Sequence, residues 1–199
     1  IIITADCTGH GVAGAFMTIL GCVLLNEIIH LNNETDPAKI LYQLDDKILQ
    51  NLQGKKNIPA EKIHNGMDIA ILVIDENNKK IEFSGAKIPL YRIKNNEITA
   101  VKSSVYPIGG QKFQNQKVFT TQVFDFEKGD IIYLASDGFQ DQFGGQDNKK
   151  YLKKRFREFL LELSPLPMSQ QKETIKKELN TWKGDYKQVD DILVLGIKL

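Results

Sequence analysis

The chain has 199 residues, 42% hydrophobic and 26% charged, which is ordinary globular composition and enough length to bury a core. Its 26 basic and 25 acidic side chains leave no electrostatic footprint for nucleic acid or an anionic membrane surface. Two cysteines, Cys7 and Cys22, argue against a disulfide framework and fit a reducing cytoplasm.

The chain opens on Ile1 with neither methionine nor polar leader, as a piece that starts inside a strand. The expectation is one domain over residues 1–199, truncated at its N-terminus. Ile1 to Ala5 is predicted as a strand, and Thr8-Gly9-His10-Gly11 as a turn whose glycines let backbone approach a ligand. Val12 to His30 carries apolar residues at helical spacing. Gly21, Asn26 and Glu27 interrupt it, so it is expected to be a buried helix rather than a membrane span. Asp36-Pro37 sets an N-cap with proline at the first helical position. Ile40, Leu41, Leu44, Ile48 and Leu52 then mark one face of a second helix. Residues 53–65 form a polar loop.

After residue 66 the period changes to that of strands. Met67 to Ile74 and Lys80 to Ser84 flank a turn at residues 75–78, and Leu90 to Ile93 and Ile98 to Val101 flank Asn95-Asn96. Strands at Val118 to Phe124 and Ile131 to Ala135 follow. Tyr151 to Leu163 and Gln170 to Trp182 are amphipathic helices, the second closed by Gly184 as C-cap. Ile192 to Leu199 is the last strand. There is no βαβ rhythm, so the expected class is α+β: an antiparallel β-sandwich flanked by α-helices.

Three apolar strands carry acids at a tip. They are Asp6 after Ile1 to Ala5, Asp137 in Ser136-Asp137-Gly138 after Ile131 to Ala135, and Asp190-Asp191 before Ile192. A buried strand end presents a carboxylate at a cost unless a cation or partner meets it. If the three tips converge, they make the oxygen cluster that Mg²⁺ and Mn²⁺ prefer. Two such ions about 4 Å apart activate a water and clamp a phosphoryl oxygen. Taken singly, each Asp-Gly pair is an ordinary turn. Asp75, Asp125 and Asp130 are assigned to turns or solvated faces. Asp68, an acid inside the run Met67 to Ala70, is either an outward-facing strand residue or a neighbour of the site. His10 is a general acid or an exposed turn residue. Cys7 is a small packed residue, since nothing nearby would depress its pKa. The run Lys153-Lys154-Arg155 is a solvated helix face.

Asp6-Cys7-Thr8-Gly9-His10-Gly11-Val12-Ala13-Gly14-Ala15 resembles the Asp-x-x-Gly-His-Gly-x-x-Gly-Ala signature of bacterial stage II sporulation E (SpoIIE)-type serine phosphatases, a branch of the metal-dependent protein phosphatase (PPM) family. Ser136-Asp137-Gly138 resembles that family's Ser/Thr-Asp-Gly motif. Gln188-Val189-Asp190-Asp191-Ile192 is similar to its closing Asp-Asp-Ile motif, with Leu193 in place of the usual threonine. Gly66-Met67-Asp68-Ile69-Ala70 and Tyr106-Pro107-Ile108-Gly109 also fit, so the resemblance spans the whole chain in order.

The resemblance implies a protein serine/threonine phosphatase that uses two Mn²⁺ or Mg²⁺ ions. Asp6 would bridge both, the Cys7 backbone carbonyl would add a ligand, and Asp137 and Asp190 would hold one of them. At Gly85-Ala86-Lys87, where many eukaryotic members have a third-metal ligand, no acid is present. The implied substrate is a phosphoserine or phosphothreonine protein, in this branch often a STAS-domain anti-sigma-factor antagonist. An upstream sensor domain, a cytoplasmic location and a possible homodimer go with the same resemblance. A catalytically silent phosphoprotein-binding module and a purely structural output module are the alternatives.

Overall fold

The structure, a computed structural model, describes residues 1–9, 11–53 and 66–199. His10 and nearly all of the expected polar loop lie outside the described residues. The chain divides into two compact units, Ile1–Pro89 with Lys102–Asp125, and Leu90–Val101 with Phe126–Leu199.

The first unit is built on β1 (Ile2–Cys7), β2 (Gly66–Asp75), β3 (Lys80–Ala86), β6 (Ile108–Gly109) and β7 (Gln122–Asp125). The order is β1-β2-β3-β7, all antiparallel, with β6 also pairing with the start of β2. Its helices are α1 (Gly11–Asn26), continued by a π-helical turn over Glu27–Leu31, and α2 (Pro37–Gln53). The Asp36-Pro37 start behaves as the sequence predicts: Asp36 Oδ1 accepts from the N–H groups of Ala38 and Lys39 at 2.9 and 3.0 Å. Ile40, Leu41, Leu44 and Ile48 are fully buried and pack in one core with Met17, Ile28, Met67, Ile69 and Ile71.

The second unit holds β4 (Leu90–Lys94), β5 (Glu97–Val101), β8 (Ile131–Ala135) and β11 (Val194–Lys198), in the antiparallel order β11-β8-β4-β5. Asn95 and Asn96, both at positive φ (51° and 60°), make the tight β4–β5 turn. Every residue of β8 is buried. Helix α4 (Lys153–Leu163) packs near β5, and α5 (Met168–Lys183) packs on β11. Gly184 closes α5, donating its N–H to the Asn180 carbonyl.

Several expectations are corrected. The helix after residue 11 is not a buried one. Gly14, Met17, Gly21 and Leu24 face the core, while Val12, Phe16, Ile19 and Val23 are exposed. Residues Gly11–Leu31 are long and apolar enough to cross a membrane by length and composition, and only 22% of that window is buried. Asp130 is not a solvated acid: it is buried and pairs with Arg92 at 2.6 Å. Arg155 is not simply solvated either, because its guanidinium lies 4.2 Å from the Trp182 ring centre and 4.7 Å from that of Tyr151. The strand expected from Val118 is confined to Gln122–Asp125. A 3₁₀ turn (Gln111–Gln116), the short helix α3 (Gly138–Asp141) and the small hairpin β9–β10 (Phe143–Gly144, Lys149–Lys150) had no clear periodic signal.

Candidate active site

In the first unit the anticipated residues Asp6 and Cys7 lie at the end of β1. That strand runs two residues further than expected, so Asp6 and Cys7 sit inside it, opposite Asp68 and Met67. Thr8 fastens the tip. Its N–H and hydroxyl both donate to the Gly66 carbonyl, at 2.9 and 3.0 Å, and its Oγ1 accepts from the Gly66 N–H at 2.8 Å. In an antiparallel pair, residues alternate between bonding to the partner strand and facing away from it. Since Thr8 bonds to Gly66, its neighbour Cys7 turns its carbonyl away from β2. Among the described residues β1 is the edge of its sheet, so no described strand pairs with that oxygen.

Asp68 is a half-buried strand residue with two charged neighbours. It stands directly across from half-buried Asp6, and Lys87 Nζ reaches its Oδ2 at 2.9 Å. Lys87 supplies positive charge where two carboxylates face each other. It adopts a left-handed backbone (φ 67°), held by its N–H donating to the Ser104 carbonyl. Nothing local in the sequence marks this lysine, because its partner lies 19 positions away. The Cys7 thiol is no activated nucleophile: burial pushes its pKa up, against a smaller lowering by Thr18.

In the second unit, β8 and β11 run antiparallel with Ala135 opposite Val194, so the tip after β8 and the segment before β11 share one end of the sheet. Ser136 ties them. Its N–H donates to the Leu193 carbonyl, its hydroxyl donates to the Asp191 carbonyl at 3.1 Å, and its Oγ accepts from the Leu193 N–H at 3.0 Å. Gly138 is fixed by contact rather than by φ, since a Cβ there would lie 2.2 Å from the Asp191 carbonyl oxygen. Asp137 occupies the N-cap of α3 without a side-chain capping bond and is exposed. Asp190 is exposed as well, and its Oδ1 accepts from the Asp191 N–H at 2.8 Å. Two of the three anticipated acids therefore lie on two connections that Ser136 ties together.

All four anticipated ligand groups offer oxygen: three carboxylates and a carbonyl that its sheet does not use. This donor chemistry fits Mg²⁺ or Mn²⁺. Among the described residues, no group of three or more His, Cys, Asp or Glu is gathered as a metal cluster.

Solved structures identify the fold. The SiaA-PP2C domain of Pseudomonas aeruginosa aligns with a TM-score of 0.86 at 28% identity, over 99% of this chain and 74% of that one. The PP2C phosphatase domain of SpoIIE from Bacillus subtilis, with a fragment of its regulatory domain, aligns at 0.70 and 17% identity, over 99% of this chain and 53% of that one. The serine/threonine phosphatase PstP/Ppp of Mycobacterium tuberculosis aligns at 0.63 and 16%, over 99% and 87%. At such identities the latter two show the fold alone. The class is that of the PP2C protein phosphatases, and the expected α+β architecture of antiparallel sheets and helices is borne out. No curated protein sequence matches the chain significantly. The family model for Stage II sporulation protein E (SpoIIE) matches residues 1–199, and the chain belongs to that family.

Proposed function

We propose that the chain is a metal-dependent protein serine/threonine phosphatase domain. The observation that carries this reading is the suture of the Ser136-Asp137-Gly138 tip to the Asp190-Asp191 segment, in a chain of the SpoIIE family. Asp6, the Cys7 carbonyl, Asp137 and Asp190 would hold two Mn²⁺ or Mg²⁺ ions. When bound, such ions lower the pKa of a water and offset charge on the phosphoryl oxygens.

The protein's own contribution is positioning. Ser136 and Gly138 hold Asp137 near Asp190, and the Thr8–Gly66 clasp holds the Asp6-Cys7 tip in register with Asp68. Lys87 balances the Asp6–Asp68 pair, so the tip carries less net negative charge before metal arrives. The thiol of Cys7 has no covalent role, because burial keeps it protonated at neutral pH.

The substrate class is a phosphoserine or phosphothreonine protein, a STAS-domain antagonist among the candidates. The domain would act as a cytoplasmic output of a signalling protein with an upstream sensor. Two neighbours give this partner class some support: RsbU and RsbW domains of one Mycobacterium tuberculosis protein, and SpoIIE with part of its regulatory domain.

The test is Mn²⁺-dependent hydrolysis of a phosphoserine peptide by the full-length protein, beside Asp137→Ala. Metal-dependent turnover that disappears in the variant supports the proposal. Absence of turnover with intact phosphopeptide binding would favour a silent binding module.

A further inference from the structure

Asp45 on α2 and Lys117, after the 3₁₀ turn, form an ion pair sealed from water, with side chains 3% and 2% exposed and 2.6 Å between Oδ1 and Nζ. A buried pair is weak evidence for stability, since apolar side chains of similar size often serve as well. What singles this pair out is where its remaining bonds go. Asp45 Oδ1 accepts from the Gly109 N–H at 2.7 Å, and Lys117 Nζ donates to the Gly109 carbonyl at 2.5 Å. Both main-chain groups of one residue are held by the two halves of the pair. Gly109 has φ 75°, a conformation costly to most side chains, so this backbone needs outside support to stay in place.

Gly109 is half of β6, and the register continues straight to the Asp6 tip. Gly109 lies opposite Gly66, and Ile108 opposite Met67. On the other side of β2, Gly66 is clasped by Thr8, Met67 lies opposite Cys7, and the next row pairs Asp68 with Asp6. The first residues of β2 are thus flanked by β6 and by the tip of β1. From these contacts we infer that Asp45 and Lys117 are positioning residues for the Asp6-Cys7 tip, acting through Gly109 and Gly66. The inference rests on Asp6 and the Cys7 carbonyl being metal ligands. The pair is buried and bonds to the Gly109 main chain, so its route to the tip is through the backbone. It sets where the Cys7 carbonyl and the Asp6 carboxylate stand.

The experiment uses full-length protein with the double variant Asp45→Leu/Lys117→Met, which keeps apolar volume, and the single variant Asp45→Asn, which keeps an acceptor for the Gly109 N–H. Amide hydrogen exchange is followed at Thr8 and Gly66, with Ile71 in the middle of β2 as internal reference. Mn²⁺ affinity is measured by calorimetry without substrate. The expected result for the double variant is exchange at Thr8 and Gly66 faster by about tenfold or more, with Ile71 nearly unchanged. Mn²⁺ affinity falls by a similar factor. A folded double variant with wild-type exchange at Thr8 and Gly66 overturns the inference. If the double variant does not fold, Asp45→Asn decides, because it removes the charge that holds Lys117 on the Gly109 carbonyl: local acceleration at Thr8 supports the role, and none overturns it. If wild-type protein binds no Mn²⁺, the metal reading fails, while the exchange comparison still settles whether the pair positions the tip.

Discussion

Gly138→Ala is the sharpest test of how the second unit presents its acids. In a helix, alanine is favoured over glycine by about 1 kcal/mol, so propensity alone makes this substitution at the first position of α3 stabilising. Packing gives the opposite sign. The added Cβ would sit 2.2 Å from the Asp191 carbonyl oxygen, 3.0 Å from its carbon and 3.1 Å from Ile192 Cγ1. Ordinary contact needs about 3.5 Å, so the 190–192 segment or the Asp137 tip must retreat by about 1 Å. Overpacking of that kind costs about 1–3 kcal/mol, which lowers Tm by about 2–4 °C per kcal/mol in a chain of this size. Because Asp190 rides on the displaced segment, the larger effect should be on turnover. A misplacement of about 1 Å costs roughly 100-fold in rate. Urea unfolding and Mn²⁺-dependent phosphopeptide hydrolysis measure the two effects separately. A Gly138→Ala protein more stable than wild type and fully active would refute the contact on which the suture depends.

Asp130→Ala should destabilise by about 1–3 kcal/mol in urea unfolding, because it removes a charge-assisted bond to Arg92 from a largely buried setting; a loss under about 0.5 kcal/mol would show that water replaces that bond. Cys7→Ala should keep kcat/KM within a few-fold, since only its carbonyl is proposed to act, and a loss beyond about tenfold would restore a role for the thiol. Lys87→Met should tighten Mn²⁺ binding several-fold at low salt, having removed a cation from beside the Asp6–Asp68 pair, and calorimetry showing weaker binding would contradict that electrostatic role. Burial pushes the Tyr133 phenol up to about 12 from 10, so the folded state favours its protonated form. That contribution is complete below pH 10 and is lost between pH 10 and about 12, amounting to about 3 kcal/mol. Tyr133→Phe should therefore unfold with a shallower alkaline decline than wild type, and identical slopes would rule the tyrosine out.

What could be read in the sequence was whatever local chemistry dictates. Asp36-Pro37 caps its helix with the two bonds that such a pair makes, and Asn95-Asn96 turns its hairpin because asparagine tolerates positive φ. The Ser136-Asp137-Gly138 and Asp190-Asp191 stretches announced themselves as acids beside apolar strands, and antiparallel pairing of β8 with β11 makes them neighbours. Illegible was everything decided by a distant partner. Asp130 and Arg92 are 38 positions apart, and Asp45 and Lys117 are 72 apart, so no window of sequence contains either pair. Each of these acids, considered alone, has the composition of a solvated turn or helix face.

The first helix failed for a different reason. Its apolar residues are spread around most of the circumference, a pattern shared by helices covered on all sides. Periodicity reports which residues are apolar, but coverage depends on what packs around the helix. Here the small residues Gly14 and Gly21 lie with Met17 and Leu24 on the buried stripe, and bulkier Val12, Phe16, Ile19 and Val23 face outward. The informative signal is therefore the placement of glycine. Close approach to a neighbour requires small residues, so in an all-apolar helix the glycine stripe marks the packed face better than the largest side chains do. That rule makes a direct comparison possible. At Gly21 a Cβ would meet Met67 Cε at 2.6 Å, the flexible end of a side chain in the core, so Gly21→Leu should disrupt packing where Phe16→Ser leaves it intact. Chemical denaturation of the two variants gives the answer, and equal stabilities would overturn the rule for this helix.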